Sequence, residues 1–235
     1  MAIEETTDEA ELLAAVTELG TALRELVAAS VTTTVGPAEL RAAAARAREV
    51  TAALAVSQRG RDQLSALDDP AQFRRVYNPV SGVGSALAPP LTIRRMDGGV
   101  EAEATLGLPY EGPPSYVHGG MSALMLDQVL SAAAHAAGLW GMTGRLELDY
   151  RRPVPLGTAL LLRAAVADSR GRRVAIAGSI ALAEAPDQPL VQARGMWVTP
   201  RPEQVEEYFR SVTDASGAPS RPRRPSDAAA VDDGA

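Results

Sequence analysis

Along the first thirty positions apolar residues recur at alternating steps of four and three: Leu12, Val16, Leu19, Leu23 and Leu26, with Glu11, Glu18, Arg24 and Glu25 around them. That spacing lays one apolar stripe along a helix and predicts one over about residues 8–29. After Thr32 to Gly36, Pro37 stands where a second helix would begin, a place where its missing N–H does no harm. Leu40, Ala44, Ala47, Thr51 and Leu54 then mark an inner face, with Arg41, Arg46, Arg48 and Glu49 around the rest. Residues 1–60 therefore read as an N-terminal helical hairpin that must dock on something, either as an arm for a partner or substrate or as an extension of the main core or dimer. From 61 to 90 the pattern dissolves into Asp68-Asp69-Pro70, Asn78-Pro79, Gly82, Gly84 and Pro89-Pro90, the breaker-rich composition of an irregular connector.

Beyond residue 90 the period changes to two. Leu91 to Arg95 and Val100 to Leu106 flank Asp97-Gly98-Gly99, a hairpin signal. Further strands are predicted at Gly144–Tyr150, where Leu146 and Leu148 alternate with Glu147 and Asp149, and at Ala159–Ala167, Arg173–Ala183 and Val191–Thr199. Between the second and third strands, Met121 to about Ala137 is a run of alanine and leucine that stops at Gly138 and reads as one long helix. The order β-β-α-β-β-β-β implies an α+β domain over 91–200, an antiparallel sheet covering a single helix. A short C-terminal helix is expected within 201–213, and 214–235, rich in Ser, Pro, Arg, Ala and Asp, offers nothing to bury and reads as a disordered tail.

Composition narrows the function classes. The 235 residues carry a net charge of −6, which disfavours a nucleic-acid partner, and the absence of cysteine removes disulfides, thiol nucleophiles and thiolate metal sites together. Two histidines, His118 and His135, make a dedicated metal site improbable, and no phosphate-cradling or dinucleotide Gly-rich turn suggests a cofactor. The N-terminus is acidic and lacks the basic start and apolar run of a secretory signal, and no apolar stretch approaches the ~20 residues that span a bilayer, so a soluble cytoplasmic protein is expected.

The chemistry concentrates around residues 109–127. A proline-stiffened loop leads into His118-Gly119-Gly120, which opens the long helix, and one acid, Asp127, sits within its apolar run. A carboxylate on a mostly buried helix costs several kcal/mol unless it is paired or used. Helix-opening glycines leave backbone N–H groups unpaired at the positive end of the helix dipole. Amides able to hold an oxyanion, with a carboxylate able to handle a water, together suggest hydrolysis.

Tyr110-Glu111-Gly112-Pro113-Pro114-Ser115-Tyr116-Val117-His118-Gly119-Gly120, Asp127 nine positions after His118, Thr143 sixteen after Asp127, and the run Leu148 to Gly157 (LDYRRPVPLG) together resemble the hotdog fold. Within that fold they are similar to the phenylacetate-type and long-chain acyl-CoA thioesterases, over roughly residues 90–200. The resemblance implies an antiparallel sheet wrapped on one central helix, acyl-CoA or an acyl-carrier-protein thioester as substrate, and no cofactor. It implies Asp127 as general base or nucleophile, the N–H of Gly119 or Gly120 as oxyanion donor, and Thr143 as the group that positions the water. It also implies a site at a dimer interface, and hence a homodimer or homotetramer; independently, a domain of about 110 residues buries surface poorly alone.

Each role has a plainer counterpart. Asp127 could cap or pair within an interface, Thr143 could simply start a strand, and His118 could fix the loop rather than touch substrate. Arg151 and Arg152 suit the phosphates of CoA, or else cover the sheet end; His135, Trp140 and Trp197 receive no role. A hydratase of the same fold would want Gly-Asp-x-Asn-Pro before its histidine, and the chain has no such run. A non-catalytic scaffold that binds an acyl group or a partner stays as the alternative.

Overall fold

A computed structural model describes residues 2–69 and 73–222. Six strands form one antiparallel sheet: β1 (Leu91–Met96), β2 (Gly99–Thr105), β3 (Met142–Tyr150), β4 (Ala159–Arg170), β5 (Arg173–Leu182) and β6 (Val191–Val198), in the spatial order β1-β2-β4-β5-β6-β3. Tight turns account for most neighbours. Gly98, at φ 77°, closes the β1–β2 hairpin so that Met96 faces Gly99. The long connection from β2 to β3 carries the central helix (Gly119–Ala136) across the sheet, and β3 consequently lands on the far edge, paired only with β6. This is the expected sheet wrapped on one helix.

The period-two pattern decides which side faces that helix. Leu160, Leu162 and Ala164 of β4, and Val174, Ile176 and Ile180 of β5, are buried, as are Met125, Leu126, Val129 and Leu130 on the helix above them. Each such side chain contributes about 1.5–3 kcal/mol when fully removed from water. Aromatic residues are only 4% of the chain, and among the described residues Trp197 is the fully buried ring of this core: 2% exposed, it donates its Nε1–H to Ser131 Oγ at 2.9 Å.

The N-terminal segment departs from the expected packing. Helix α1 (Ala2–Thr32) meets the body along Leu13, Thr17, Gly20 and Arg24; of the predicted stripe, Val16 and Leu23 are half-buried beside them, while Leu12, Leu19 and Leu26 stay exposed. The reason is a close backbone approach. Gly20 lies against Gly84, and a Cβ at residue 20 would stand 2.3 Å from the Val83 carbonyl oxygen. Arg24 then donates to the carbonyls of Val83 and Ser85, each at 2.9 Å, which sets the rotation of the helix. Helix α2 (Pro37–Leu54) buries no residue, so the face marked by Leu40 and Leu54 is open.

The connector is irregular but tied down. Asn78 Oδ1 accepts from the N–H groups of Val80 and Ser81, its Nδ2 donates to Gln128 Oε1, and Gln128 Nε2 donates to Ser81 Oγ. Gln128, 8% exposed on α3 (the central helix, Gly119–Ala136), thereby satisfies a buried amide and fastens the connector in one contact. At the other end of the chain, α4 (Pro202–Tyr208) is followed by a stretch that bonds back to the connector, Leu64 N donating to Thr213 O at 2.8 Å. The Asp214 carboxylate closes the turn at 214–218, and its hydrogen bond from Ser216 holds its pKa below the usual value. Residues 223–235 of the expected tail lie outside the described residues. No helix among the described residues is long and apolar enough to cross a membrane.

Candidate active site

The two stretches that carry the sequence motif, 110–120 and 148–157, meet in space. Val117 N–H donates to Val154 O at 2.8 Å, Leu156 N–H to Ser115 O at 3.0 Å, and His118 N–H to Tyr110 O at 2.9 Å. Prolines 113 and 114 shape the turn, Ser115 takes a left-handed φ of 71°, and Glu111 Oε1 accepts from its N–H at 2.8 Å. The loop that delivers His118 to the start of α3 is thus held from both flanks.

His118 caps α3. Its Nδ1 accepts from the Gly120 N–H at 3.0 Å, so one of the two candidate oxyanion donors is already engaged. Among the described residues nothing accepts from the Gly119 N–H, and Gly119 lines a cleft of about 290 Å³ together with Tyr116, Ser122, Tyr150, Arg151 and Arg152. The open amide stands at the positive end of α3, where an anionic oxygen is favoured. Of the two arginines, Arg152 donates through Nη2 to the Gln188 carbonyl at 3.0 Å, tying the end of β3 to the β5–β6 turn. Among the described residues the Arg151 side chain makes no hydrogen bond.

Asp127 lies two turns further along α3 and is half-buried rather than sunk in the core. Its Oδ1 accepts from the Thr143 hydroxyl at 2.9 Å, so the structure brings Asp127 and Thr143 together. Thr143 stands at a register shift, between it and Arg145, where β3 pairs with β6, the kind of irregularity that re-aims a side chain. Asp127 and Gly119 are eight residues apart on one helix, about 12 Å along its axis at 1.5 Å per residue. Within one chain they cannot address the same carbonyl group.

Sequence alone gives no role to two further polar residues of this region and of the far end of α3. Tyr150 stood within the motif without a role, yet its hydroxyl donates to Gly119 O at 2.8 Å. His135 is 8% exposed, 5.0 Å from the Phe73 ring and 3.4 Å from Arg95 Nη2, and it borders two cavities at the far end of α3. Only the fold places Phe73, sixty-two positions earlier, beside it. Among the described residues no three His, Asp or Glu side chains converge as metal ligands would.

Comparison with known proteins bears on this arrangement. A family profile described as "Thioesterase superfamily" matches residues 115–181, the stretch from the loop through α3 to β5. A crystal structure described as that of a thioesterase superfamily protein is 35% identical, covers 78% of this chain and 94% of its own, and superposes with a TM-score of 0.69. The acyl-coenzyme A thioesterase THEM4 of Xenopus laevis is 40% identical over 67 residues, 28% of this chain and 30% of that protein. Its counterpart in Rattus norvegicus is 31% identical over 74 residues, 32% of either chain. The chain thus spans about a third of the length of these curated relatives.

Proposed function

Because the chain belongs to the thioesterase superfamily, we propose that it hydrolyses an acyl-CoA thioester to a carboxylate and a free thiol, with each site shared between two copies. The observation that carries the reading is the Asp127 carboxylate held at 2.9 Å by Thr143 on the same helix whose first N–H, at Gly119, is left open. Thr143 occupies Oδ1, so Oδ2 takes a proton from water as the water oxygen attacks the thioester carbon. The carbonyl electron pair moves to oxygen, where the Gly119 N–H of the second copy stabilises the charge. Collapse of the tetrahedral species breaks the C–S bond, and the proton on Asp127 passes to the leaving thiolate. Arg151, lining the cleft beside Gly119, meets the CoA phosphates.

The geometry of β3 supports the sharing. It is an edge strand, it starts at the Thr143–Asp127 pair, and it ends at Tyr150 beside Gly119. Because the register shift between Thr143 and Arg145 takes one residue out of the ladder, antiparallel pairing of two such edges centred on Glu147 sets Thr143 of one copy opposite Tyr150 of the other. Each half-site then finds its complement, twice per dimer.

The test is a free-thiol assay of the full-length protein over acyl-CoA esters from acetyl to palmitoyl and several aryl groups. Asp127→Asn is expected to lower kcat by about 10²–10⁴-fold, the usual range for a lost general base, with the melting temperature unchanged. Hydrolysis by the variant at the parental rate overturns the role of Asp127. Binding of acyl-CoA by the parent without turnover points to the scaffold alternative instead.

A further inference from the structure

We infer that Tyr150 is a positioning residue that fixes the direction of the Gly119 N–H, an inference that rests on the hydrolytic reading of this site. Two consecutive glycines at the first turn of a helix are the least constrained backbone a chain can offer, and helix ends fray. An oxyanion donor must nonetheless be aimed before the charge develops, because a donor that reorients during the reaction loses much of its advantage.

The structure clamps this turn on two sides. The peptide unit joining Gly119 to Gly120 carries one carbonyl and one N–H, and both are engaged. The Tyr150 hydroxyl donates to the Gly119 carbonyl at 2.8 Å, and the Gly120 N–H donates to His118 Nδ1 at 3.0 Å. Rotating that unit breaks both bonds together. The Tyr150 ring also lies flush against residue 119, where a Cβ would stand 3.5–3.6 Å from its edge and hydroxyl, ordinary contact distance. The preceding peptide unit, which bears the open Gly119 N–H, is held by its own carbonyl, with His118 O accepting from Met121 N at 2.9 Å and Ser122 N at 3.3 Å. With the units on either side of the Gly119 Cα fixed, the open N–H has one direction, and Gly119 lines the same cleft as Tyr150 and Arg151.

The position of Tyr150 in the strand is equally specific. Tyr150 is the last residue of β3 and 55% exposed, so its ring is not needed to fill the core, and its hydroxyl has this one protein partner among the described residues. β3 thereby carries an orienting group at each end, Thr143 for the acid and Tyr150 for the amide.

Tyr150→Phe in the full-length protein removes the hydroxyl alone. On whichever acyl-CoA the parent hydrolyses, the variant is expected to lose at least about tenfold in kcat with KM within about twofold, because the lost alignment matters when the oxyanion forms. The amide ¹H–¹⁵N signals of Gly119 and Gly120 should shift while those of β4 and β5 stay in place. An unchanged kcat, a loss confined to KM, or unmoved Gly119 and Gly120 signals overturns the inference. If the parent releases no thiol from any ester, the hydrolytic reading falls on that result, and the amide signals still decide whether Tyr150 holds the turn.

Discussion

The Asp127 carboxylate has two oxygens, and the Thr143 hydroxyl engages one of them and leaves the other open. A similar division holds at the glycines, where His118 engages Gly120 and leaves Gly119 open. Both outcomes turn on single hydrogen bonds that residue order does not specify. The loop behind them depends on Tyr110, whose carbonyl accepts from His118 N–H and whose hydroxyl donates to Ala88 O at 3.1 Å. Burial raises the Tyr110 phenol above its usual pKa of 10.0, with the Arg24 guanidinium drawing it partly back. A raised folded-state value means that the stabilising contribution is complete below pH 10 and lost as pH climbs through the folded value. Melting curves from pH 8 to 12 should therefore fall more steeply for the parent than for Tyr110→Phe above pH 10; parallel curves would contradict this.

Among the elements, α1 shows most clearly how backbone contact overrules an apolar pattern. The leucine stripe is a sound helix signal, and the helix forms, but its seat is chosen by Gly20 against Gly84 and by Arg24 on two carbonyls. Gly20→Ala should gain up to about 1 kcal/mol of helix propensity and lose about 1–3 kcal/mol to the clash with backbone that cannot yield. The expected net result is a lower melting temperature and faster proteolytic cleavage near residues 20–30. A variant as stable as the parent would show that α1 is not held at this point. α2 forms on propensity and its Pro37 start, without a buried residue.

For the molecule as a whole, exposed area is informative. Helix α2 is open, the outer leucines of α1 are exposed and the outer edge of β3 is unpaired, and edge strands in stable proteins are covered or defended. The roles proposed for Asp127 and Gly119, about 12 Å apart along the helix axis, make the same demand from the side of chemistry. Sedimentation equilibrium at micromolar concentration should return a mass of at least two chains. A species of 24.5 kDa that still hydrolyses acyl-CoA would refute the shared site.

Residue order alone determined the strands, the central helix and the motif, because side-chain periodicity and turn residues act over a few positions. The breaks at Gly98 and Gly138, the alternation of Leu146 and Leu148 with Glu147 and Asp149, and the spacing of His118, Asp127 and Thr143 were all legible as written. Tertiary structure alone decided which face of α1 turned inward, that Gly119 rather than Gly120 kept a free N–H, and that Tyr150 stood over it. The seat of α1 and the place of Tyr150 depend on contacts between segments tens of residues apart, and the choice between the glycines on the rotamer of His118 one or two positions away. In each, one close backbone approach or one hydrogen bond outweighs a local preference worth a few tenths of a kcal/mol.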